Sequence, residues 1–160
     1  MKKNSTPLIF IWIGSRIPKW GFDSIKFASS NNPDRKIILL LDKNSYCTNK
    51  PKNYSFEIVY LDNLFIEKCS LSKDNSLSNS FWINTAKRLK VLYEYCKLNN
   101  IKQYFHAEID NLVFSLHSLE KKLTLLGKGF FAPKDSEERA LASLVFCNNN
   151  ESITKILSYF

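Results

Sequence analysis

Two stretches of this chain, Leu8-Ile9-Phe10-Ile11-Trp12-Ile13 and Ile37-Ile38-Leu39-Leu40-Leu41, are apolar at every position. A strand with one wet face alternates apolar and polar residues, so an unbroken apolar run of this length reads as a strand buried on both faces. Such strands need helices above and below them. The intervening residues 22–30 suit a short helix, stopped by Asn31-Asn32-Pro33. Further strands are expected at 56–61, 103–107, 129–132 and 141–147, and helices at 116–126 and 151–160. Residues 69–79, rich in Ser, Asn and Lys, read as an exposed loop. The clearest helix runs from Ser80 to Leu98, where Trp82, Ala86, Leu89, Tyr93 and Cys96 recur at steps of three or four. Asn79 or Ser80 can cap its start, and Asn99-Asn100 can end it. Strands alternating with helices imply an α/β fold: a Rossmann-like, mainly parallel sheet with helices on both faces, here as one domain over residues 1–160.

In such folds ligands bind where strand carboxyl ends splay apart. Gly14, Asp42, Asp62 and the run Glu108-Ile109-Asp110-Asn111 follow expected strands and are the first site candidates. In extended chain, residues i and i+2 share a face and rise about 3.3 Å per residue. Glu108 and Asp110 would then point one way, with Ile109 turned inward, and two carboxylates so placed suit a hard divalent cation. Asn111 adds a neutral oxygen. The same spacing also describes a solvated acidic turn, the commoner case. His106 and His117 are mismatched with the cysteines as metal ligands, and His106 reads as a locally satisfied strand residue.

The net charge of +8 would suit a polyanionic partner or a membrane surface. The lysines are dispersed, the densest groups being Lys2-Lys3, Lys50/Lys52 and Lys121-Lys122. Without a zinc finger, an aromatic RNA-binding motif or an Arg-rich helix, no nucleic-acid partner is expected. Cys47, Cys69, Cys96 and Cys147 form no CxxC pair and read as buried reduced thiols. The N-terminal apolar stretch is too short for a signal-peptide core, and no run approaches the roughly 20 apolar residues of a spanning helix. A cytoplasmic protein is expected, with peripheral contact at the inner membrane face left open. The P-loop, GxGxxG and GxSxG motifs are all missing, which disfavours the enzyme classes built on them.

The segment IWIGSRIPKW resembles the opening strand and loop of GT-A glycosyltransferases related to capsular-sugar and mannosyl-type transferases, whose W-I-G-x-x-x-P ends at the nucleotide. SIKFASSNNPDRKIILLLD is similar to their next helix, turn and strand. FWINTAKRLKVLYEY resembles the helix carrying an arginine ahead of the sugar-nucleotide motif, and FHAEIDNLVF their D-x-D or E-x-D signature between hydrophobic runs. The order and spacing hold over residues 8–114.

The resemblance implies that Asp110 coordinates Mn²⁺ or Mg²⁺ on the donor diphosphate and that Glu108 holds ribose or sugar hydroxyls. It places Trp12, Ile13 and Gly14 beside the base, Asp42 at base or ribose, and Arg88 at the phosphates or donor sugar. From the residues alone, Trp12 is equally a core aromatic, Asp42 a strand-end turn residue and Arg88 a solvated arginine. The implied partners are a nucleotide-sugar donor and a glycan or lipid-linked acceptor. The sequence departs from the family in having Asn84-Thr85 before the arginine and Asn99-Asn100-Ile101 before the acidic motif. The chain stops at Phe160, where relatives continue into an acceptor-binding half that brings a further metal ligand and, in inverting enzymes, a base. The expectation is glycosyl transfer, with donor binding stronger than turnover, Glu137 or Glu138 as conceivable bases, and self-association through an apolar edge at 141–147 with Leu157, Tyr159 and Phe160. The alternatives are a donor-binding domain without catalysis and a nucleotidyltransferase-like enzyme.

Overall fold

The computed structural model describes residues 6–14, 16–43, 45, 55–62, 65, 80–137 and 139–158, with side chains of 80–84 excepted. Lys2, Lys3, Cys47, Lys50, Lys52, Cys69, the expected loop 69–79 with Asn79, Glu138, Tyr159, Phe160 and the side chains of Ser80 and Trp82 lie outside the described residues.

The strands are β1 (Leu8–Trp12), β2 (Ile37–Asp42), β3 (Glu57–Leu61), β4 (Tyr104–Ala107), β5 (Phe130–Phe131) and β6 (Leu144–Cys147). They form one six-stranded sheet in the order β3-β2-β1-β4-β6-β5. β1 runs parallel to β2 and β4, and β2 parallel to β3, whereas β6 is antiparallel to both β4 and β5. The sheet is therefore mixed but mainly parallel, an α/β arrangement as expected.

The apolar runs behave as burial on both faces requires. Leu8 and Phe10 of β1, with Ile37, Leu39 and Leu41 of β2, join a core against Phe22, Ile25 and Ala28 of α1 (Lys19–Asn31). Leu119 and Leu123 of α3 (His117–Leu125) pack on the same layer. The alternate residues Ile9, Ile11, Ile38 and Leu40 face Val91, Leu92, Tyr95 and Cys96 of α2 (Ser80–Leu98), which also contacts α4 (Asn150–Leu157). Each such fully buried aliphatic side chain contributes about 1.5–3 kcal/mol.

Three expectations shift. The buried stripe of α2 is Ala86, Leu89, Leu92 and Cys96, with Tyr93 displaced to the flank beneath the Lys97 ammonium, 5.7 Å from its ring. The buried face also takes in Val91 and Tyr95, so it is centred near Leu92 and Cys96 and Tyr93 falls at its margin. Helix α1 begins at Lys19, earlier than 22, since Pro18 supplies an extended residue before the first turn. Most consequentially, the 141–147 strand shortens to β6 and is no edge. β5 pairs with its Phe146 and Cys147, so β6 is not the outermost strand of the sheet.

The end of α2 is as the sequence implies. Asn100 takes a positive φ of 54°, and Ile101 N–H donates to the Cys96 carbonyl at 2.8 Å, a Schellman closure with asparagine in the usual glycine place.

At the amino edge of the parallel strands, four chain segments meet in one polar cluster. The Arg35 guanidinium pairs with Glu120 Oε2 at 2.6 Å, donates to the Thr6 carbonyl, and lies 5.0 Å over the Phe105 ring. The Gln103 amide donates to Thr6 Oγ1 at 2.8 Å and to Glu120 Oε1 at 3.1 Å, and the Thr6 hydroxyl also donates to Glu120. This ties the starts of β1, β2 and β4 to α3. Because the Arg35 side chain is only 7% exposed, removing it strands a carboxylate. Arg35→Ala is expected to lower unfolding free energy by about 3 kcal/mol. Lys36→Ala, which breaks the exposed 2.7 Å pair with Glu57, should cost less than about 1 kcal/mol. Urea denaturation of both variants checks the contrast, and equal losses would refute it.

Candidate functional site

The strand order reverses at β1: the chain passes from β1 outward to β2 and β3, then returns to place β4 on the other side. Ligand crevices of open α/β sheets form at this switch point, outside the carboxyl ends. Gly14 leaves β1 there, Glu108 leaves β4 beside it, and Asp42 closes β2 on the far side.

The Gly14 loop is held rather than loose. Its N–H donates to Asp42 Oδ2 at 3.2 Å, and its carbonyl accepts from the Ser45 hydroxyl at 2.7 Å. Ser45 N–H donates in turn to the Asp42 carbonyl at 2.8 Å, making a tight turn after β2. Gly14 has a φ of 99°, a backbone state that other L residues rarely adopt. Asp42 is buried, so its carboxylate first serves to hold this loop. Trp12 packs partly against the α1-side core and Ile13 against the α2-side core.

Glu108, Ile109, Asp110 and Asn111 do not continue the strand. β4 ends at Ala107, and Asn111 N–H donates to the Glu108 carbonyl at 3.1 Å, so the acidic pair sits in a turn. The extended geometry expected from the sequence is corrected here. The reason is competition for backbone partners: Glu108 N–H and the Asn111 amide both donate to the Ser143 carbonyl, at 2.9 and 2.7 Å, which curls the chain toward the start of β6. Asn111 is therefore tied to Ser143 through its nitrogen. Ile109 does turn inward, as expected. It lies so close to Gly21 of α1 that a Cβ there would stand 2.8 Å from Ile109 Cδ1. Gly21 thus lets the first turn of α1 seat the acidic turn.

Arg88 reaches in from α2 and pairs with Glu108 Oε1 at 3.1 Å, both side chains about one-quarter exposed (25% and 29%). Asp110 is exposed. Among the described residues no group of three or more His, Cys, Asp or Glu could hold a metal ion. A cation here would rest on Asp110, with Glu108 already engaged by Arg88, and would take most of its ligands from phosphate oxygens and water. That donor set fits Mg²⁺-like binding, which uses one or two carboxylates plus substrate phosphates, and not an all-protein cage.

Beneath the pair lies His106, fully buried in β4, its Nδ1 2.9 Å from the Ile9 carbonyl. Burial pushes its pKa down to about 4, with the Arg88 charge acting the same way and the Ile9 bond opposing. It is the locally satisfied strand residue that the sequence implied. Cys96 and Cys147 are likewise buried free thiols, and burial raises both thiol pKa values.

Sequence reasoning missed Ser45, Ser143 and Gly21. The Asp-x-x-Ser turn after β2 was a readable signal for Ser45, but Ser143 acts through its carbonyl and leaves no side-chain signature. Glu137 is exposed and paired with Lys134 at 3.0 Å. Two apolar cavities are present, one of about 270 Å³ that begins at Asn111 of the acidic turn and runs along 111–116, the other of about 190 Å³ between α3 and β5–β6. Neither is lined by Gly14, Asp42, Arg88, Glu108 or Asp110.

Neither a family model nor a curated protein matches this sequence. Among solved structures the chain is similar to the PaToxG glycosyltransferase, with a TM-score of 0.54 and 14% identity over 96% of this chain and 58% of that one. An active-site mutant of LgtC is comparably similar, with a TM-score of 0.53 and 16% identity over 96% of this chain and 59% of the other. The fold is GT-A-like. The chain spans 58% and 59% of the lengths of those two structures.

The depressed His106 pKa makes a signed prediction. The unfolded chain takes up this proton near pH 6.5 and the folded chain only near 4, so folded stability is full above about 6.5 and falls as pH drops toward 4. The loss should reach about 3 kcal/mol below that window. Denaturant midpoints across this range should show the slope in the natural chain and lose it in His106→Gln; an unchanged slope would remove His106 as its source.

Proposed function

We propose that this chain binds a nucleotide-sugar donor at the carboxyl edge between β1 and β4 and, with a divalent cation, transfers the sugar to a hydroxyl acceptor. The observation that carries the reading is the side-by-side placement of the pinned Gly14 loop and the Glu108–Asp110 turn at the reversal of strand order. Support comes from the shared fold with PaToxG, named a glycosyltransferase, and LgtC, whose mutant structure is described as an active-site mutant.

Each residue has a task in this reading. The Gly14 backbone lines the base and ribose side, held at its height by Asp42 and Ser45. Asp110, exposed at the turn, holds Mn²⁺ or Mg²⁺. Glu108 meets sugar or ribose hydroxyls, its orientation set by Arg88, which also adds positive charge beside the diphosphate. When bound, the cation neutralises charge on the departing diphosphate. A glycan or lipid-linked hydroxyl is the acceptor class that the family resemblance implies.

The test is thermal unfolding with a panel of nucleotide sugars, with and without Mn²⁺. A ligand at about 100 times its Kd adds about 2.7 kcal/mol of stability, a clear melting shift. The natural chain should shift only with donor and metal together. Asp110→Asn should abolish the metal-dependent part while melting normally without ligand, since its side chain is exposed. Arg88→Ala should weaken the shift seen with donor and metal together. No shift with any donor would refute the donor site, and a full shift in Asp110→Asn would remove that residue. Incubation of a radiolabelled donor with mixed glycan acceptors then separates transfer from binding alone.

A further inference from the structure

The helix α3 has two faces. Leu116, Leu119, Glu120 and Leu123 point inward, the leucines into the core and Glu120 onto Arg35. Ser118, Lys121, Lys122 and Leu125 make the outward face, all exposed, and Leu126 and exposed Lys128 follow at its end. Leu125 and Leu126 are 86% and 71% exposed, the most exposed large apolar side chains among the described residues. A leucine pair this open gains nothing from folding.

The stretch of chain around it is basic. Between His117 and Lys134 the only acid is Glu120, which is consumed by the internal Arg35 pair. Exposed Lys102 precedes Gln103, whose amide donates to Glu120 at the same edge of the sheet. The position is also fixed. Gly127 and Gly129 are tied to Asn148, and Phe130 pairs with Cys147, which pairs with Tyr104 at the start of β4. The leucine pair and its lysines therefore sit on the amino edge of the sheet, opposite the carboxyl-edge crevice.

We propose that this amino-edge face, Leu125–Leu126 flanked along the chain by Lys121, Lys122 and Lys128, docks the protein on an anionic lipid bilayer. Exposed apolar side chains beside lysines match the chemistry of an acidic headgroup layer, in which leucines enter the acyl boundary while lysines meet lipid phosphates. A nucleic acid would use the charge but leave the leucines unoccupied. A second copy of this chain would bring like charges together. Docking this way turns the carboxyl edge toward the aqueous side. The proposal is independent of what the crevice binds.

The experiment is vesicle flotation of the full chain with phosphatidylcholine alone and with added phosphatidylglycerol, at low and high salt. Binding should require phosphatidylglycerol and fall steeply with salt, as charges beyond a Debye length are screened. Each lysine near such a surface is worth about a fivefold change in partitioning, so Lys121→Glu/Lys122→Glu should lose at least about thirtyfold. Leu125→Ser/Leu126→Ser should reduce binding while leaving the salt dependence of the remainder. Both double variants alter exposed side chains and should melt as the natural chain does. Binding without phosphatidylglycerol dependence, or surviving both double variants, overturns the proposal. So does a dimer in sedimentation that Leu125→Ser/Leu126→Ser dissolves.

Discussion

From Leu8 to Ile11 and from Ile37 to Asp42 every residue is buried, and the same holds for β4. A sheet closed on both faces by helices has no wall on which to build chemistry. Along these strands polar groups emerge only where the strand stops, at the two edges of the sheet. The rest of the molecule follows from that restriction. One edge gathers Gly14, Asp42 and the Glu108–Asp110 turn, and the other gathers Thr6, Arg35, Gln103 and Glu120.

The two edges use polar residues differently. At the amino edge the groups bind one another: Arg35 and Glu120 are largely withdrawn from water, Glu120 accepts from Thr6 and Gln103, and Arg35 Nε is left buried without a hydrogen bond. Such a network specifies how segments meet. At the carboxyl edge the buried parts hold backbone in place while the exposed parts stay available to solvent. Asp42 and Ser45 hold the Gly14 loop, and Ser143 and Gly21 seat the acidic turn. Asp110 is left at the surface. This division places rigid support beneath an accessible group.

His106 and Arg88 show how closely support and site are joined. The neutral imidazole is anchored to Ile9 across the β1–β4 pair, so it adds no charge under the Arg88–Glu108 contact. A second cation at that depth would repel Arg88 and loosen Glu108. A buried uncharged histidine avoids this and still uses its N–H.

Period and composition determined much on their own. Short unbroken apolar runs bounded by turn residues read as doubly buried strands, a long three-four stripe reads as a helix, and Asn99-Asn100 can end one, since asparagine tolerates positive φ. Those are local rules, and they located β1, β2, β4 and α2 as well as the strand-end positions of Gly14, Asp42 and Glu108. Tertiary structure alone decided what non-local hydrogen bonds control. It curled Glu108-Ile109-Asp110 into a turn through the Ser143 carbonyl, joined Arg88 to Glu108 across 20 positions, and covered β6 with β5. Backbone carbonyls and strand partners carry no residue-type signature, so their choice becomes visible only once the chain has packed.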